Sequence, residues 1–244
     1  MRVLLTNDDG FHAQGLQALS VALKARGDSV WIVAPSGNRS GTSCSLTLDR
    51  PLAATRMSDT EYVIDGTPAD CVHIALTGLA SVADFDVVLS GMNDGANLGD
   101  DAIHSGTLGA ATQAHLYGLP ALACSLIDRG WHHLDVAVVV ALRTLDALVA
   151  QPTPALWNLN VPNVPAIPAT RLASVGRRSA SHPVQALLSP KGGQLFWLGM
   201  GGDTVPQAGN DMAITDAGFA ALTPITLDRT DYSALSGLIT TFGH

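Results

Sequence analysis

Three short polar segments, at residues 7–10, 38–41 and 91–95, each follow an apolar run of the sequence. The first segment contains two adjacent carboxylates, Asp8 and Asp9. Two ionised carboxylates about 4 Å apart that face the same way repel each other by ~4 kcal/mol at an effective dielectric constant of about 20, so a fold that keeps both charged normally provides a cation. A divalent metal ion is the simplest such cation.

The other two polar segments contribute neutral oxygen donors, among them Ser40 and Asn93. Carboxylate, hydroxyl and amide oxygens are hard ligands, and no His or Cys occurs at a ligand spacing, so this donor set favours Mg²⁺, Mn²⁺ or Ca²⁺ over Zn²⁺. Taken alone, the aspartate pair is better explained as a turn before a helix, where acidic residues are common. The neutral donors in the other two segments shift the balance toward metal binding.

Residues 104–109 place small side chains at the start of a predicted helix. The free N–H groups and the positive dipole end of such a helix can hold a phosphate, here through Ser105, Gly106 and Thr107. The alternative is an ordinary N-cap with glycine chosen for close packing, and the spacing alone favours that alternative. The segment is not a Walker A loop, because the lysine is absent. His104, beside the segment, is the best-placed histidine for acid/base chemistry.

Strands and helices alternate along the sequence. Continuous apolar runs predict buried strands, and apolar residues at helical spacing predict helices between them. The predicted strands lie near residues 3–5, 30–33, 87–89, 121–124 and 156–161, and the predicted helices near 16–23, 67–79, 105–115 and 134–148. This alternation indicates an α/β fold with a Rossmann-like, doubly wound, mostly parallel sheet. Because such sheets bind ligands at the carboxyl ends of their strands, we expect the three polar segments to meet at one site.

The pattern changes beyond about residue 165, where Gly, Pro and turn residues dominate and one β-like stretch occurs at residues 194–198. We therefore divide the chain into an α/β catalytic core, residues 1–165, and a β-rich C-terminal appendage, residues 166–244. We expect the appendage to be an oligomerisation arm and tail rather than an independent domain. A further β-like stretch is predicted near residues 46–52.

The composition excludes several classes of protein. The chain has 244 residues, of which 47% are hydrophobic and 14% charged, with a formal net charge of −8. This composition is typical of a compact globule rather than a disordered chain. The acidic balance disfavours a nucleic-acid partner, because binding one requires the neutralisation of many phosphates. The longest apolar stretch, residues 136–142, is far shorter than the roughly 20 residues of a membrane span.

The cysteines indicate the compartment. The chain has three of them, Cys44, Cys71 and Cys124, with no C-x-x-C pair. Scattered, odd-numbered cysteines are typical of reduced thiols in a cytosol. The N-terminus runs directly into a strand pattern without the features of a signal peptide, so we expect a cytoplasmic location.

The motifs of this chain resemble, in order and spacing, those of the SurE (survival protein E) family. The resemblance covers nearly the whole chain and is strongest over residues 1–125. The matching segments are residues 1–10, 34–35, 38–43, 66–71, 90–101, 104–107, 158–162 and 215–224. The chain departs from the family's pattern at His104, where Tyr is common, and at Asp94, where a small residue is usual.

This resemblance implies a metal-dependent phosphatase that hydrolyses nucleoside 5′- and 3′-monophosphates, with some members also cleaving short polyphosphate. It implies one divalent ion per subunit, Mg²⁺ or Mn²⁺, and pairing of subunits through an exchanged C-terminal arm, giving a homodimer or a dimer of dimers. The resemblance also implies that Asp8 and Asp9 are the catalytic residues. By position, the implied metal ligands are Asp8, Asp9, Ser40 and Asn93, and the implied phosphate contacts are Asn93, Ser105, Gly106 and Thr107.

Two other functions share an acidic pair after the first strand. A covalent aspartyl-phosphate enzyme usually has its second acid two residues after the first, but here Gly10 follows Asp8 and Phe11 follows Asp9 at that distance. A non-catalytic phosphate- or nucleotide-sensing module should have its phosphoacceptor aspartate at the end of the third strand, where this chain has Ser90. Assays for a labile phosphoenzyme and for phosphate release separate these alternatives from a metal-dependent hydrolase.

Overall fold

The computed structural model describes residues 1–199 and 201–242. The strands within these ranges are β1 Arg2–Thr6, β2 Ser29–Pro35, β3 Ala54–Arg56, β4 Glu61–Ile64, β5 Val87–Asp94, β6 Ala121–Leu126, β7 Leu156–Val161, β8 Thr170–Leu172, β9 Gln185–Leu188, β10 Gln194–Trp197 and β11 Ala220–Ile225. Nine of these strands form one sheet in the order β3-β4-β2-β1-β5-β6-β7-β11-β8, and β9 and β10 form a separate antiparallel hairpin.

Helices cover both faces of the main sheet. They are α1 Gln14–Ala25, α2 Pro68–Ile74, α3 Gly106–Leu116, α4 Leu134–Val149, α5 Asp211–Asp216 and α6 Tyr232–Phe242. In the described parts of the chain, every helix is too short or too polar to cross a bilayer.

The central strands β4, β2, β1, β5, β6 and β7 are parallel neighbours, and side chains from each strand enter two apolar layers. In β1, Val3 and Leu5 point into the layer that contains Leu16 of α1 and Leu145 of α4. Leu4 points into the opposite layer, which contains residues of α2 and α3. This alternation follows from the two-residue period of a strand. It confirms the predicted Rossmann-like, doubly wound α/β fold.

The start of α2 follows its sequence signature. The Thr67 side chain accepts a hydrogen bond from the Asp70 N–H at 3.1 Å, and the Asp70 carboxylate accepts one from the Thr67 N–H at 2.9 Å. Pro68 occupies the first helical turn, where a missing N–H costs nothing. The helix continues to Leu79 as a π-helical turn, Ala75–Leu79, so the predicted end near residue 79 is confirmed.

The strand predicted near residues 46–52 is wrong. That segment is irregular, and the next strand, β3, begins at Ala54. The Asp70 carboxylate accepts hydrogen bonds from both the N–H and the hydroxyl of Thr47, at 2.9 and 2.7 Å. These bonds to a side chain hold the segment in place of a strand ladder.

The chain beyond residue 165 contributes two strands to the main sheet. Strand β11 runs antiparallel to β7, and β8 runs parallel to β11. The β9–β10 hairpin confirms the predicted β-like stretch near residues 194–198. The division of the chain at residue 165 stays a prediction.

Candidate active site

The loops after β1 and β2 pack against each other at the carboxyl edge of the sheet. The Asn7 side chain bonds both the carbonyl and the N–H of Gly10, at 3.0 and 3.2 Å, and so closes the turn after β1. Gly10 has φ +107°, and a Cβ there would lie 3.0 Å from the Cα of Gly37. The N–H of Arg39 also donates to the carbonyl of Asp8 at 2.7 Å. The first two polar segments therefore meet, as predicted.

Asp8 is a buried carboxylate, with 3% of its surface exposed. The hydroxyl of Thr107 donates to its Oδ1 at 2.6 Å. Gly106 lies so close that a Cβ there would approach Asp8 Cβ to 2.9 Å. Burial raises the pKa of Asp8, and the hydrogen bonds from Thr107 offset part of that rise.

Asp9 lies beside Asp8 and is half-buried. Its Oδ1 accepts a hydrogen bond from the Asn38 amide at 3.3 Å, and its Oδ2 accepts one from the Asp94 N–H at 3.1 Å. Burial, followed by the negative charge of Asp8, raises the pKa of Asp9 to about 6, and the charge of Asp94 adds to the rise. The third polar segment therefore reaches the first.

The predicted ligands line one cavity of about 350 Å³, whose walls include Asp8, Asp9, Ser40 and Asn93. The Ser40 N–H donates to the Asn38 side chain at 2.9 Å, which holds the second loop at the cavity wall. The Asn93 amide nitrogen donates to the Gly95 carbonyl at 2.8 Å, so its amide oxygen is the atom suited to a cation.

The chemistry of these donors fits a hard divalent ion. In the part of the chain that the structure describes, no group of three or more His, Cys, Asp or Glu side chains forms a metal cluster. The cavity instead combines two carboxylates with a hydroxyl and an amide, which suits Mg²⁺ or Mn²⁺ better than Zn²⁺. A cation would also offset the repulsion that raises the pKa of Asp9. The assignment of these four residues as ligands stays a prediction.

The start of α3 has the ordinary N-cap that was one of the two interpretations of residues 104–109. The Ser105 hydroxyl accepts a hydrogen bond from the Leu108 N–H at 3.0 Å. Ser105 also lines the cavity, whereas Thr107 is fully buried and its side chain points to Asp8. The cap therefore accounts for the residue types. Phosphate binding by Ser105, Gly106 and Thr107 stays a prediction.

Asn97 lines the cavity and was not identified from the sequence. Its carbonyl accepts hydrogen bonds from the amides of Asn158 and Asn160, at 2.8 and 3.0 Å, and its own amide donates to Ser125 at 2.8 Å. The sequence signal for this contact was the pair Asn158 and Asn160, at alternate positions of a buried strand. Buried amides require hydrogen-bond partners, so the pair indicated that a polar segment packs against this strand.

Arg129 also lines the cavity and was not identified from the sequence. It lies just beyond the carboxyl end of β6. Because parallel sheets bind ligands at the carboxyl ends of their strands, this position could have been identified from the sequence. His104 lines the cavity as well, as its sequence position suggested.

Residues beyond 165 hold the loop that follows β5. The buried Asp211 carboxylate accepts hydrogen bonds from the N–H groups of Gly99 and Gly176, each at 2.8 Å. The Arg178 guanidinium pairs with Asp101 at 2.7 Å. These contacts tie the C-terminal part of the chain to the cavity wall.

The fold and the site define a class of protein: a Rossmann-like α/β protein with a carboxylate- and amide-lined pocket at the carboxyl edge of a parallel sheet. Residues 3–182 match the family model described as "Survival protein SurE". The chain belongs to the SurE family.

Similar proteins span the whole chain. The chain is 40% identical over 258 aligned positions to the 5′-nucleotidase SurE of Acinetobacter baumannii strain AYE, with all of both chains covered. The protein of the same name from strain AB0057 matches equally. The crystal structure of the SurE protein from Aquifex aeolicus matches with a TM-score of 0.84 and 30% identity, covering 99% of each chain.

Proposed function

We propose that this protein is a metal-dependent nucleotidase that hydrolyses nucleoside 5′-monophosphates to nucleoside and phosphate. The observation that carries the proposal is the meeting of Asp8, Asp9, Ser40 and Asn93 around one cavity beside the start of α3. The names of the Acinetobacter relatives support the reaction class. We further propose nucleoside 3′-monophosphates and short polyphosphate as substrates of the same site.

We assign one Mg²⁺ or Mn²⁺ ion per subunit to Asp8, Asp9, Ser40 and Asn93. When bound, such an ion acts as a Lewis acid toward a phosphoryl oxygen and orients a water molecule. The donor set of the cavity supports this assignment, because all four side chains offer hard oxygen atoms.

Each residue has a definite task in this proposal. Asp8 is held by Thr107 in a fixed orientation toward the cavity. Asp9, whose carboxylate lines the cavity beside Asp8, is the candidate acceptor for the proton of the attacking water. The N–H of Gly106 and the positive end of α3 would stabilise the charge on the phosphoryl oxygens. The hydroxyl and the N–H of Thr107 act on Asp8 instead.

A substrate panel with and without a chelator tests the proposal. Purified protein is incubated with nucleoside 5′-monophosphates, nucleoside 3′-monophosphates and short polyphosphate in Mn²⁺ or Mg²⁺, and phosphate release is measured. We expect release from the nucleotides that EDTA abolishes and added Mn²⁺ restores. A sensing module would bind nucleotide without release, and chelator-resistant release would exclude the metal assignment.

An acid-quench experiment separates direct hydrolysis from a covalent aspartyl-phosphate route. A labelled substrate is mixed with the protein and the reaction is stopped in acid. Direct attack by water leaves no label on the protein, whereas an acyl phosphate would remain bound.

We also propose that the protein works in the cytoplasm as a homodimer or dimer of dimers joined by its C-terminal arm. The free thiols of Cys71 and Cys124 are buried, which suits a reducing compartment. The β9–β10 hairpin region exposes large apolar side chains: Leu188 is 83% exposed, Trp197 67% and Leu198 76%. Contact with a partner chain would remove this apolar surface from water. Light scattering of wild-type protein and of Trp197→Asp tests the arm, since the variant should shift to smaller species.

A further inference from the structure

Arg129 is the only lysine or arginine among the described residues that line the cavity of Asp8 and Asp9. The same walls carry Asp94 and Asp101, so four carboxylates surround the space. A phosphate monoester carries up to two negative charges near neutral pH. Positive charge from the protein, added to that of a metal ion, would favour its entry into an acidic cavity.

The positive charge of Arg129 acts on Asp9, whose pKa it lowers. Among the residues that the structure describes, its guanidinium forms no hydrogen bond or salt bridge, so its N–H groups are available to a ligand. Two other arginines near this space are paired: Arg39 with Asp65 at 3.2 Å and Arg178 with Asp101 at 2.7 Å. Arg178 lines an adjoining cavity of about 860 Å³ that also includes Arg129. Arg129 therefore stands where the two cavities meet.

The loop that carries Arg129 is held on both sides. The Gly130 N–H donates to the Asp94 carboxylate at 3.1 Å. The Asn163 side chain donates to the Asp128 carbonyl and accepts from the His133 N–H, each at 2.9 Å.

The backbone of this loop is also strained. Asp128 and Trp131 both have φ +62°, a conformation that L-residues rarely adopt. Trp131 in turn covers Gly15, where a Cβ would meet its ring at 2.6 Å. Strained residues persist only where their surroundings hold them, so Arg129 projects from a defined loop.

We propose that Arg129 is a substrate-binding residue whose guanidinium binds the phosphoryl group of the phosphomonoester. This inference rests on the proposed function. Two parallel N–H donors match two phosphoryl oxygens, a geometry that lysine cannot reproduce. Asp94 is the positioning residue, because it holds the N–H of Gly130, next to Arg129.

Steady-state kinetics of Arg129→Gln and Arg129→Lys test the proposal with a nucleoside monophosphate and Mn²⁺. Loss of a charge-assisted bidentate contact should raise KM about 10- to 100-fold, with a smaller fall in kcat. Arg129→Lys should recover only part of this loss. The matched control is Arg56→Gln, which changes an exposed arginine that pairs with Asp59 and does not line the cavity. This control should behave as wild type. An unchanged KM in Arg129→Gln would overturn the proposal.

Binding of inorganic phosphate keeps the test independent of turnover. Calorimetry in the presence of Mn²⁺ should show phosphate bound at least about tenfold more weakly by Arg129→Gln than by wild type. If wild type binds phosphate in this way but releases none from nucleotides, the proposed function fails and the role of Arg129 stands. Equal phosphate affinities in the two proteins would overturn it.

Two substitutions of Asp94 test the positioning role. Asp94→Asn keeps a side-chain acceptor for the Gly130 N–H, whereas Asp94→Ala removes it. We expect phosphate affinity to fall in Asp94→Ala and to be retained in Asp94→Asn. Equal loss in both variants would assign the effect of Asp94 to its charge and overturn the positioning role.

Discussion

The hydroxyl of Thr107 donates a 2.6 Å hydrogen bond to the buried carboxylate of Asp8, and so joins the first turn of α3 to the end of β1. The two residues are 99 positions apart in sequence. Because burial disfavours the charged form of Asp8, this donor sustains the carboxylate that the proposed metal requires.

Thr107→Val should raise the pKa of Asp8 further and lower the free energy of unfolding by about 1–3 kcal/mol, since it leaves a buried acceptor without this donor. Urea unfolding in chelator at neutral pH measures the loss. Thr107→Ser retains a hydroxyl and should recover most of it. Equal stabilities of the Val and Ser variants would show that the hydrogen bond contributes nothing.

Asp8→Asn should reduce turnover by orders of magnitude and leave the fold intact, because the amide removes one charged ligand and keeps the shape of the side chain. Phosphate release and circular dichroism measure the two effects. Asp59→Asn, at a side chain that is 93% exposed, is the matched control. Undiminished activity in Asp8→Asn would refute the metal assignment.

Asp9 should make the metal-free protein less stable as the pH rises from about 4 to about 6. The pKa of Asp9 is about 6 in the folded protein, above its ordinary value of 3.8, so folding favours the protonated form. This contribution is complete below about pH 4 and is lost as the pH rises through about 6.

Asp9→Asn removes that dependence. In chelator at about pH 7.5, thermal unfolding should show the variant to be more stable than wild type, with a smaller difference at about pH 5. Mn²⁺ should reverse the order at the higher pH, because it binds the ionised carboxylate. A variant less stable than wild type in chelator at both pH values would contradict the shifted pKa of Asp9.

Gly106→Ala should destabilise the protein by about 1–3 kcal/mol, because the new methyl group would lie 2.9 Å from Asp8 Cβ and 3.0 Å from Thr42 Oγ1. It should also reduce turnover by displacing Asp8. Gly78→Ala is the control, since the nearest atom to its added Cβ would be 4.0 Å away, on Ile74. Chemical denaturation compares the two, and equal effects would contradict the close approach at Gly106.

Asp211→Ala should cost at least about 3 kcal/mol of stability, because three N–H groups, those of Gly99, Gly176 and Met212, lose their acceptor. The exposed Asp216→Ala is the control. Activity should fall further than stability alone explains, since the loop after β5 loses its support. Retention of full activity and stability would contradict this role of Asp211.

Sequence patterns predicted the parts of the site that local chemistry and strand order determine. Strand β1 ends two residues before Asp8, strand β2 ends five residues before Ser40, and Asn93 is the second-to-last residue of β5. Parallel strands bring such ends to one edge of the sheet. The capping residues of α2 were likewise readable, because a cap depends on residues three positions apart.

Contacts between distant segments were not readable. Nothing near Asp211 in the sequence indicates that its carboxylate receives the N–H of Gly99, 112 positions away. The segment near residues 46–52 was mistaken for a strand because Thr47 is held by Asp70, a bond that depends on the folded position of α2. Tertiary contacts of this kind override local propensity.

Strand β11 lies between β7 and β8 and covers the side of β7 that does not face β6. A chain truncated at residue 165 would leave that side as a bare edge, with a row of unpaired N–H and C=O groups. Such an edge is a template on which other chains add as strands, so the truncated protein should aggregate rather than remain monodisperse. The last third of the chain thus protects the edge of β7 from strand addition by other chains.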